Sequence, residues 1–230
     1  MAHPTVVYDL DGTLADTAAD LMGALNTVLM REGLPCLPVA NAKTMLGAGG
    51  RALIVRGFAS NGRELPPRKL DALFGDFLAH YNAHIADSTR LYPGVEAALD
   101  AFDRAGWRQA VCTNKMEASA RLLMRRLGVA DRFAFICGQD TFGVGKPDPK
   151  PLLGAIAAAG GARALAVMVG DSMTDIRTAR AAGLPVIAVD WGYTDMPVVE
   201  LGPDHVVSSF DELLPASTAL LGLALENDPG

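Results

Sequence analysis

The residues of this chain best suited to chemistry are acids and one lysine, spread over four separated segments. They are Asp9-Leu10-Asp11-Gly12-Thr13, Thr113-Asn114, Lys146-Pro147, and Gly170-Asp171-Ser172 with Asp175 shortly beyond. If the segments meet, three or four carboxylates crowd one another and repel by several kcal/mol at an effective dielectric of about 20. Such a cluster persists only when a cation neutralises it or some of the acids stay protonated. Carboxylates with no His or Cys among them suit a hard, oxygen-loving ion, and Mg2+ is the best match. With Lys146, the ion would supply local positive charge, so the site could bind an anion although the chain carries a net charge of −6.

Bringing these segments together requires an ordered set of strands. The run Thr5 to Asp9 (TVVYD) is β-branched and apolar and predicts a buried strand. Leu14, Leu21, Leu25, Val28 and Leu29 follow at helical spacing, closed by Gly33. Between about Asp16 and Thr89 the pattern is helical throughout, including DALFGDFLAHYNAHI, with Gly and Pro punctuation and no convincing strand. From Pro93 onward helices alternate with short apolar strands. The strands are expected at Gln109 to Cys112, Ala134 to Cys137, Ala164 to Val169, Pro185 to Val189 and His205 to Val207. The helices are expected at Gly94 to Ala105, Met116 to Leu127, Pro149 to Ala159, Met173 to Ala182 and from about Phe210. Fully apolar strands alternating with helices predict an α/β fold, a Rossmann-like parallel sheet with helices on both faces. The first strand belongs to that sheet, so the helical stretch is an insert: residues 1–15 and 90–230 form the core and 16–89 an inserted α-helical cap domain. In open sheets of this kind ligands bind beyond the carboxyl ends of the strands. All four chemical segments fall at such ends.

Composition narrows the partners. Half the residues are apolar and a fifth charged, as in a soluble globular protein, and the acidic balance argues against a nucleic-acid or anionic-membrane partner. No stretch is apolar for long enough to span a bilayer, and the start of the chain lacks a basic region followed by an apolar signal segment. Cys36, Cys112 and Cys137 are odd in number and lie among apolar neighbours, which predicts reduced core thiols in a cytoplasmic protein. The last residues, Glu226 to Gly230, are expected to fray. Nothing in the pattern speaks to oligomeric state.

The segments DLDGTL, Thr113-Asn114, Lys146-Pro147 and GDSMTD resemble, in order, the four motifs of the haloacid dehalogenase superfamily. The helical stretch between the first and second motifs resembles the cap of one large branch of it. Within that branch LYPGV (Leu91 to Val95), TNK (Thr113 to Lys115), KPDP (Lys146 to Pro149) and WGY (Trp191 to Tyr193) are most similar to phosphoglycolate phosphatases. The resemblance implies a magnesium-dependent phosphatase acting on a small phosphorylated metabolite, 2-phosphoglycolate first.

On this reading Asp9 is the nucleophile, ionised at neutral pH and able to form an aspartyl-phosphate. Asp11, two residues on, donates a proton to the leaving alcohol and later takes one from water; the resemblance implies that its backbone carbonyl also binds the metal. An acid at this position favours phosphate-ester chemistry over dehalogenation, since dehalogenating members usually lack one. Asp171 joins Asp9 and Asp11 as a metal ligand. Asp175 stands behind them to orient Lys146 or to reach the metal through water, with an exposed helix-start carboxylate as its plainer alternative. Thr113, Asn114 and a closely approaching backbone at Gly12 hold phosphate oxygens, and Lys146 offsets charge on Asp9 and the phosphoryl group.

In the cap, the Gly-rich run Leu46 to Arg51 opens a predicted helix, which makes Arg51 and Lys43 candidates for a substrate carboxylate; a plain turn with surface charges is the alternative. Lys115 and Lys150 are read as solvated surface residues, because exposed lysine is the norm, and His80, Tyr81 and His84 as packing or surface residues. A sugar-phosphate phosphatase or a β-phosphoglucomutase-like phosphomutase on the same scaffold remains an alternative function. A non-catalytic phosphate-binding regulatory protein is another.

Overall fold

A computed structural model of the chain describes residues 3–224, so the expected fraying of Glu226 to Gly230 lies outside the described residues. The apolar run near the start forms β1 (His3–Tyr8), in which Val6, Val7 and Tyr8 are fully buried. A short strand β2 (Ala15–Asp16) leads into four helices: α1 (Ala18–Arg31), α2 (Ala42–Met45), α3 (Gly50–Ser60) and α4 (Pro67–Ala83). The short strand β3 (Arg90–Leu91) brings the chain back. Then come α5 (Val95–Arg104), β4 (Arg108–Cys112), α6 (Glu117–Arg126), β5 (Phe135–Cys137), α7 (Pro149–Ala158) and β6 (Gly161–Gly170). The chain continues through α8 (Met173–Ala182), β7 (Val186–Val189), β8 (His205–Val207) and α9 (Leu213–Leu220).

Six of these strands form one parallel sheet in the order β5-β4-β1-β6-β7-β8. The chain moves outward from β1 through β4 to β5, then crosses back to β6 on the other side of β1. That reversal opens a crevice at the carboxyl end of β1, the place where such sheets bind ligands. Side-chain alternation divides the core between the two faces. Val6, Tyr8, Val167 and Val169 pack with residues of α5, α6 and α9, whereas Val7, Ala166 and Met168 pack with residues of α7 and α8. The expected α/β architecture is what forms. Most boundaries differ from expectation by a residue or two. Strand β6 starts three residues earlier than expected, at Gly161, and the last helix is split into a 3-10 turn at Phe210–Glu212 followed by α9.

Between β1 and β4 the inserted helices α1, α3 and α4 share an apolar core that includes Leu25, Leu29, Leu53, Ile54, Phe74, Phe77 and Tyr81. Gly57 allows the close approach of α3 to α1: a Cβ there would lie 2.7 Å from Leu25 Cδ1. The chain leaves and re-enters the sheet region through an antiparallel ribbon, with Ala15 paired to Leu91 and Asp16 to Arg90. The sequence pattern carried no strand signal here, because two residues are too few to show a period. One carboxylate reinforces the junction. Asp20 on α1 accepts hydrogen bonds from Ser88 N at 3.1 Å, Thr89 N at 2.9 Å and Thr89 Oγ1 at 2.7 Å.

Cys112 and Cys137 are buried free thiols, but Cys36 is exposed, since its apolar neighbours lie in a surface loop after α1 rather than in the core. No helix among the described residues is long and apolar enough to cross a membrane.

Because Asp20 is nearly buried and holds three donors at one junction, Asp20→Ala leaves all three unpaired. The substitution is expected to lower unfolding free energy by about 3 kcal/mol, read as a reduced urea midpoint. An unchanged midpoint would show that the junction does not depend on this carboxylate.

Candidate active site

The site is built outward from the end of β1. Asp9 N–H donates to Val169 O at 2.8 Å, which continues the ladder to β6 and fixes where the Asp9 side chain starts. The chain then turns at Gly12, whose φ is +85°. A Cβ on Gly12 would lie 2.5 Å from Asp171 Oδ2 and 2.8 Å from the Tyr193 ring, so both the backbone angle and the space require glycine. The Thr13 hydroxyl donates to Asp171 Oδ1 at 2.9 Å and Tyr193 N–H to Asp171 Oδ2 at 2.7 Å. These two donors fix the orientation of Asp171 at the end of β6.

Asp175 opens α8, where its Oδ2 accepts from Ser172 N at 3.1 Å and Ser172 Oγ at 2.6 Å. Its Oδ1 accepts from Lys146 Nζ at 2.6 Å, and the same ammonium lies 2.9 Å from Asp9 Oδ1. Lys146 thus bridges Asp9 and Asp175, with a side chain only 1% exposed. Asn114 holds the lysine's backbone: Asn114 Oδ1 accepts from Lys146 N at 2.8 Å and Nδ2 donates to Lys146 O at 3.0 Å. The Asn114 amide is therefore engaged by the loop carrying Lys146. Thr113 N–H donates to Cys137 O at 3.0 Å, and its hydroxyl oxygen accepts from Lys115 N at 3.2 Å.

Asp9, Asp171 and Asp175 each offer a carboxylate oxygen, and the three oxygens lie within 4.8 Å of one another. The Asp11 carboxylate is turned aside from that trio, 2.9 Å from Lys115 Nζ and accepting from Thr17 Oγ1 at 2.7 Å. Both Asp9 and Asp11 still face the same cavity. Burial pushes the Asp9 carboxyl up to about 7, with Lys146 opposing and Asp175 and Asp11 adding to the rise. Burial raises Asp171 as well, helped by the charges of Asp175 and Asp9. For Lys146 burial alone would favour the neutral amine, but Asp175 and Asp9 outweigh it and hold the ammonium charged. Three buried acids around one lysine leave negative charge in excess, and an all-oxygen donor set fits a hard divalent cation.

The cavity lies between this rim and the inserted helices. Asp9, Asp11, Thr113, Asn114 and Lys115 form its floor; Leu21, Leu53, Phe74, Phe77 and Tyr81 form much of its wall. Gly47, Gly49 and Gly50 of the Gly-rich run also line it, and a Cβ on Gly49 would lie 2.9 Å from Asn114 O.

Several expectations need correcting. Arg51, a candidate for a substrate carboxylate, does not line the cavity and matches its plainer reading as a surface charge: it pairs with Asp71 at 2.5 Å and covers the Phe74 ring at 4.4 Å. The nearer acid and the aromatic face hold its guanidinium on the outside of the insert. Lys43 is likewise elsewhere, beside a depression lined by Asp190 and Thr194. Lys115 was read as solvated, yet its side chain is 5% exposed and its Nζ donates to Tyr81 Oη at 3.0 Å. Its position directly after Thr113-Asn114, at a strand's carboxyl end, was the signal that should have outweighed the general exposure of lysine. Tyr81 is packed, as expected, but its hydroxyl also enters the site. Lys150 is exposed, as expected.

Tyr193 serves two regions at once. Beyond its N–H bond to Asp171, its hydroxyl donates to Asp16 Oδ1 at 2.7 Å and accepts from Thr17 N at 2.7 Å and Ala18 N at 3.0 Å. The residue that holds a site carboxylate therefore also anchors the first turn of the insert.

Comparison with known proteins places this arrangement among relatives. The profile of the haloacid dehalogenase-like hydrolases matches residues 6–189. The chain is 48% identical over 213 residues to a phosphoglycolate phosphatase of Mesorhizobium japonicum, covering 93% of this chain and 94% of that one. Identity to a phosphoglycolate phosphatase of Agrobacterium fabrum is 45%, over 93% of this chain and 91% of the relative. Among solved structures, a predicted phosphoglycolate phosphatase from Haemophilus somnus matches with a TM-score of 0.86 at 27% identity, covering 94% of this chain and 98% of that one. CbbY from Rhodobacter sphaeroides, solved in complex with phosphate, matches with a TM-score of 0.78 at 26% identity, over 92% and 96% of the two chains.

The raised Asp9 carboxyl sets a sign for stability. Its folded value of about 7 lies above the value of about 4 in an unfolded chain, so the folded state binds that proton more tightly. In chelator-treated protein this contribution is present below about pH 4 and is lost as pH rises through about 7. The urea midpoint of wild type relative to Asp9→Asn should therefore decline between pH 5 and pH 8. A difference independent of pH would contradict the raised carboxyl.

Proposed function

The chain belongs to the haloacid dehalogenase-like hydrolase family, and we propose that within it the protein is a magnesium-dependent phosphatase that hydrolyses 2-phosphoglycolate to glycolate and phosphate. The observation that carries the reading is Lys146 bridging Asp9 and Asp175 beside Asp171, at the end of β1 and against a cavity that Asp11 also faces. The curated relatives named phosphoglycolate phosphatase, up to 48% identical, support the choice of substrate.

In the first step an Asp9 carboxylate oxygen attacks phosphorus and the bond from phosphorus to the glycolate oxygen breaks. Asp11 gives its proton to that departing oxygen. In the second step water attacks the aspartyl-phosphate, Asp11 takes a proton from it, and the phosphorus–Asp9 bond breaks to free the carboxylate. Lys146 balances charge on Asp9 and on the phosphoryl oxygens, and Asp175 aims it. The Thr113 hydroxyl and the backbone around Gly12 and Asn114 receive the phosphoryl oxygens. Asp9, Asp171 and the Asp11 carbonyl would hold the magnesium ion, with Asp175 behind them. When bound, the ion offsets the charge of the clustered acids and of the phosphoryl group.

Residues 16–89 act in this proposal as a cap over a core made of 1–15 and 90–230. The cap opens and closes about the segments Ala15 to Thr17 and Thr89 to Pro93, where the β2–β3 ribbon crosses. The protein's partner is a small phosphorylated metabolite, and its place is the cytoplasm.

Phosphate release from 2-phosphoglycolate tests the reading. Activity should disappear with a chelator, return with Mg2+, and fall by at least about 1,000-fold in Asp9→Asn with the fold intact by circular dichroism. Turnover retained in Asp9→Asn would exclude this nucleophile, and wild type inactive on 2-phosphoglycolate but active on another ester would exclude this substrate.

A further inference from the structure

Lys115 lies at the carboxyl end of β4, and its ammonium is buried in the cavity between Asp11 of the core and Tyr81 of the insert. The distances are 2.9 Å to Asp11 Oδ1 and 3.0 Å to Tyr81 Oη, and the ammonium stands 4.5 Å from the centre of the Tyr81 ring. Burial alone would favour the neutral amine, but the Asp11 carboxylate and Tyr81 outweigh it. Among the described residues lining this cavity, Lys115 alone carries a positive charge. Lys146 lies behind the floor with Asp9 and Asp175, while Arg51 and Lys43 are outside.

A buried ammonium is costly unless its surroundings compensate it, and this one has three N–H donors. Asp11 and Tyr81 take two of them; a third acceptor is absent among the described residues. Position then says what the third could meet. The phosphoryl group belongs beside Asp9 and Lys146, and the leaving oxygen beside Asp11, its proton donor. Whatever is bonded to the leaving oxygen lies next to Asp11's neighbour, which is Lys115. Much of the remaining wall is apolar, with Leu21, Leu53, Phe74 and Phe77; the polar Ser119 and Gln139 also line it, engaged with Asn82 and Met116, and none of these residues carries a charge to meet a second phosphate.

We propose that Lys115 is the specificity-determining residue of the site, selecting phosphate esters that carry a carboxylate close to the ester oxygen, and that Tyr81 positions it. This rests on the phosphatase reading above and deepens it. Because Tyr81 belongs to α4 of the insert and Lys115 to the core, the pairing forms only when the two are together. Selection of the acid and closure of the cavity are then one event.

The test compares 2-phosphoglycolate with ethyl phosphate, which has a methyl group in place of the carboxylate. In wild type kcat/KM should favour 2-phosphoglycolate strongly; in Lys115→Met that ratio should fall by about 100-fold, and Lys115→Arg should restore part of it. Tyr81→Phe, which keeps the ring and removes the hydroxyl, should lower the same ratio by several-fold. If turnover of either ester is too slow to follow, dissociation constants on the Asp9→Asn background read the same contrast. A purely structural role for Lys115 would lower both substrates together and leave the ratio unchanged, which overturns the proposal, as does a wild-type ratio near one. Wild type inactive on both esters would instead overturn the phosphatase reading itself.

Discussion

The structure turns on the burial of like charge at the end of β1. Asp9, Asp171 and Asp175 are all nearly inaccessible and close enough for their oxygens to share one ion. Left alone, such a group would protonate or pull apart. Lys146 is the partner the chain itself supplies, and it lies between two of the acids rather than beside one. Much of the surrounding detail serves to keep those charges in register. Thr13 and Tyr193 hold Asp171, Ser172 holds Asp175, and Asn114 grips the backbone on both sides of Lys146. Each holder comes from a different segment, so the site is assembled by the sheet rather than by any one loop.

The same economy links the site to the inserted helices. Tyr193 joins a site carboxylate to the start of α1 through its main chain and its hydroxyl. Asp20 closes the other side of the junction by taking donors from Ser88 and Thr89. Lys115 and Tyr81 add a third contact, inside the cavity itself. A rearrangement of the insert would therefore alter how Lys115 is held, and it would reach the trio of acids only through Tyr193, since Thr13, Ser172 and Lys146 hold the same acids from within the core. Under the proposed function, that separation keeps the reacting groups fixed while the surface that recognises the substrate moves.

Charged residues of the insert show where reading by position has force and where it does not. Arg51 opens α3 next to a Gly-rich turn, and the turn does line the cavity, but the side chain leaves it for Asp71 and Phe74. A long flexible side chain takes the nearest good partner, and that partner was twenty residues away in sequence. Lys115 errs in the opposite sense, since exposure statistics describe lysines in general and this one follows a strand at the ligand-binding rim. The rule about strand ends carried more information than the rule about lysine.

The sequence by itself determined the sheet, the identity of the acids and Lys146, and their arrival at one rim. Apolar strands alternating with amphipathic helices have few ways to bury both faces, and a parallel sheet puts every strand's carboxyl end on one side. It also marked a helical stretch after the first strand, where the structure has α1 to α4 between β2 and β3. Tertiary structure alone decided which oxygens face one another. Asp175, rather than the Asp11 side chain, completes the trio within reach of one ion, and Asp11 turns toward Lys115 and Thr17 instead. It alone also placed Tyr81 and Lys115 in one cavity. Periodicity records which face of its own element a residue occupies, whereas these contacts join elements far apart in the chain, and their distances are set by how the insert packs on the sheet.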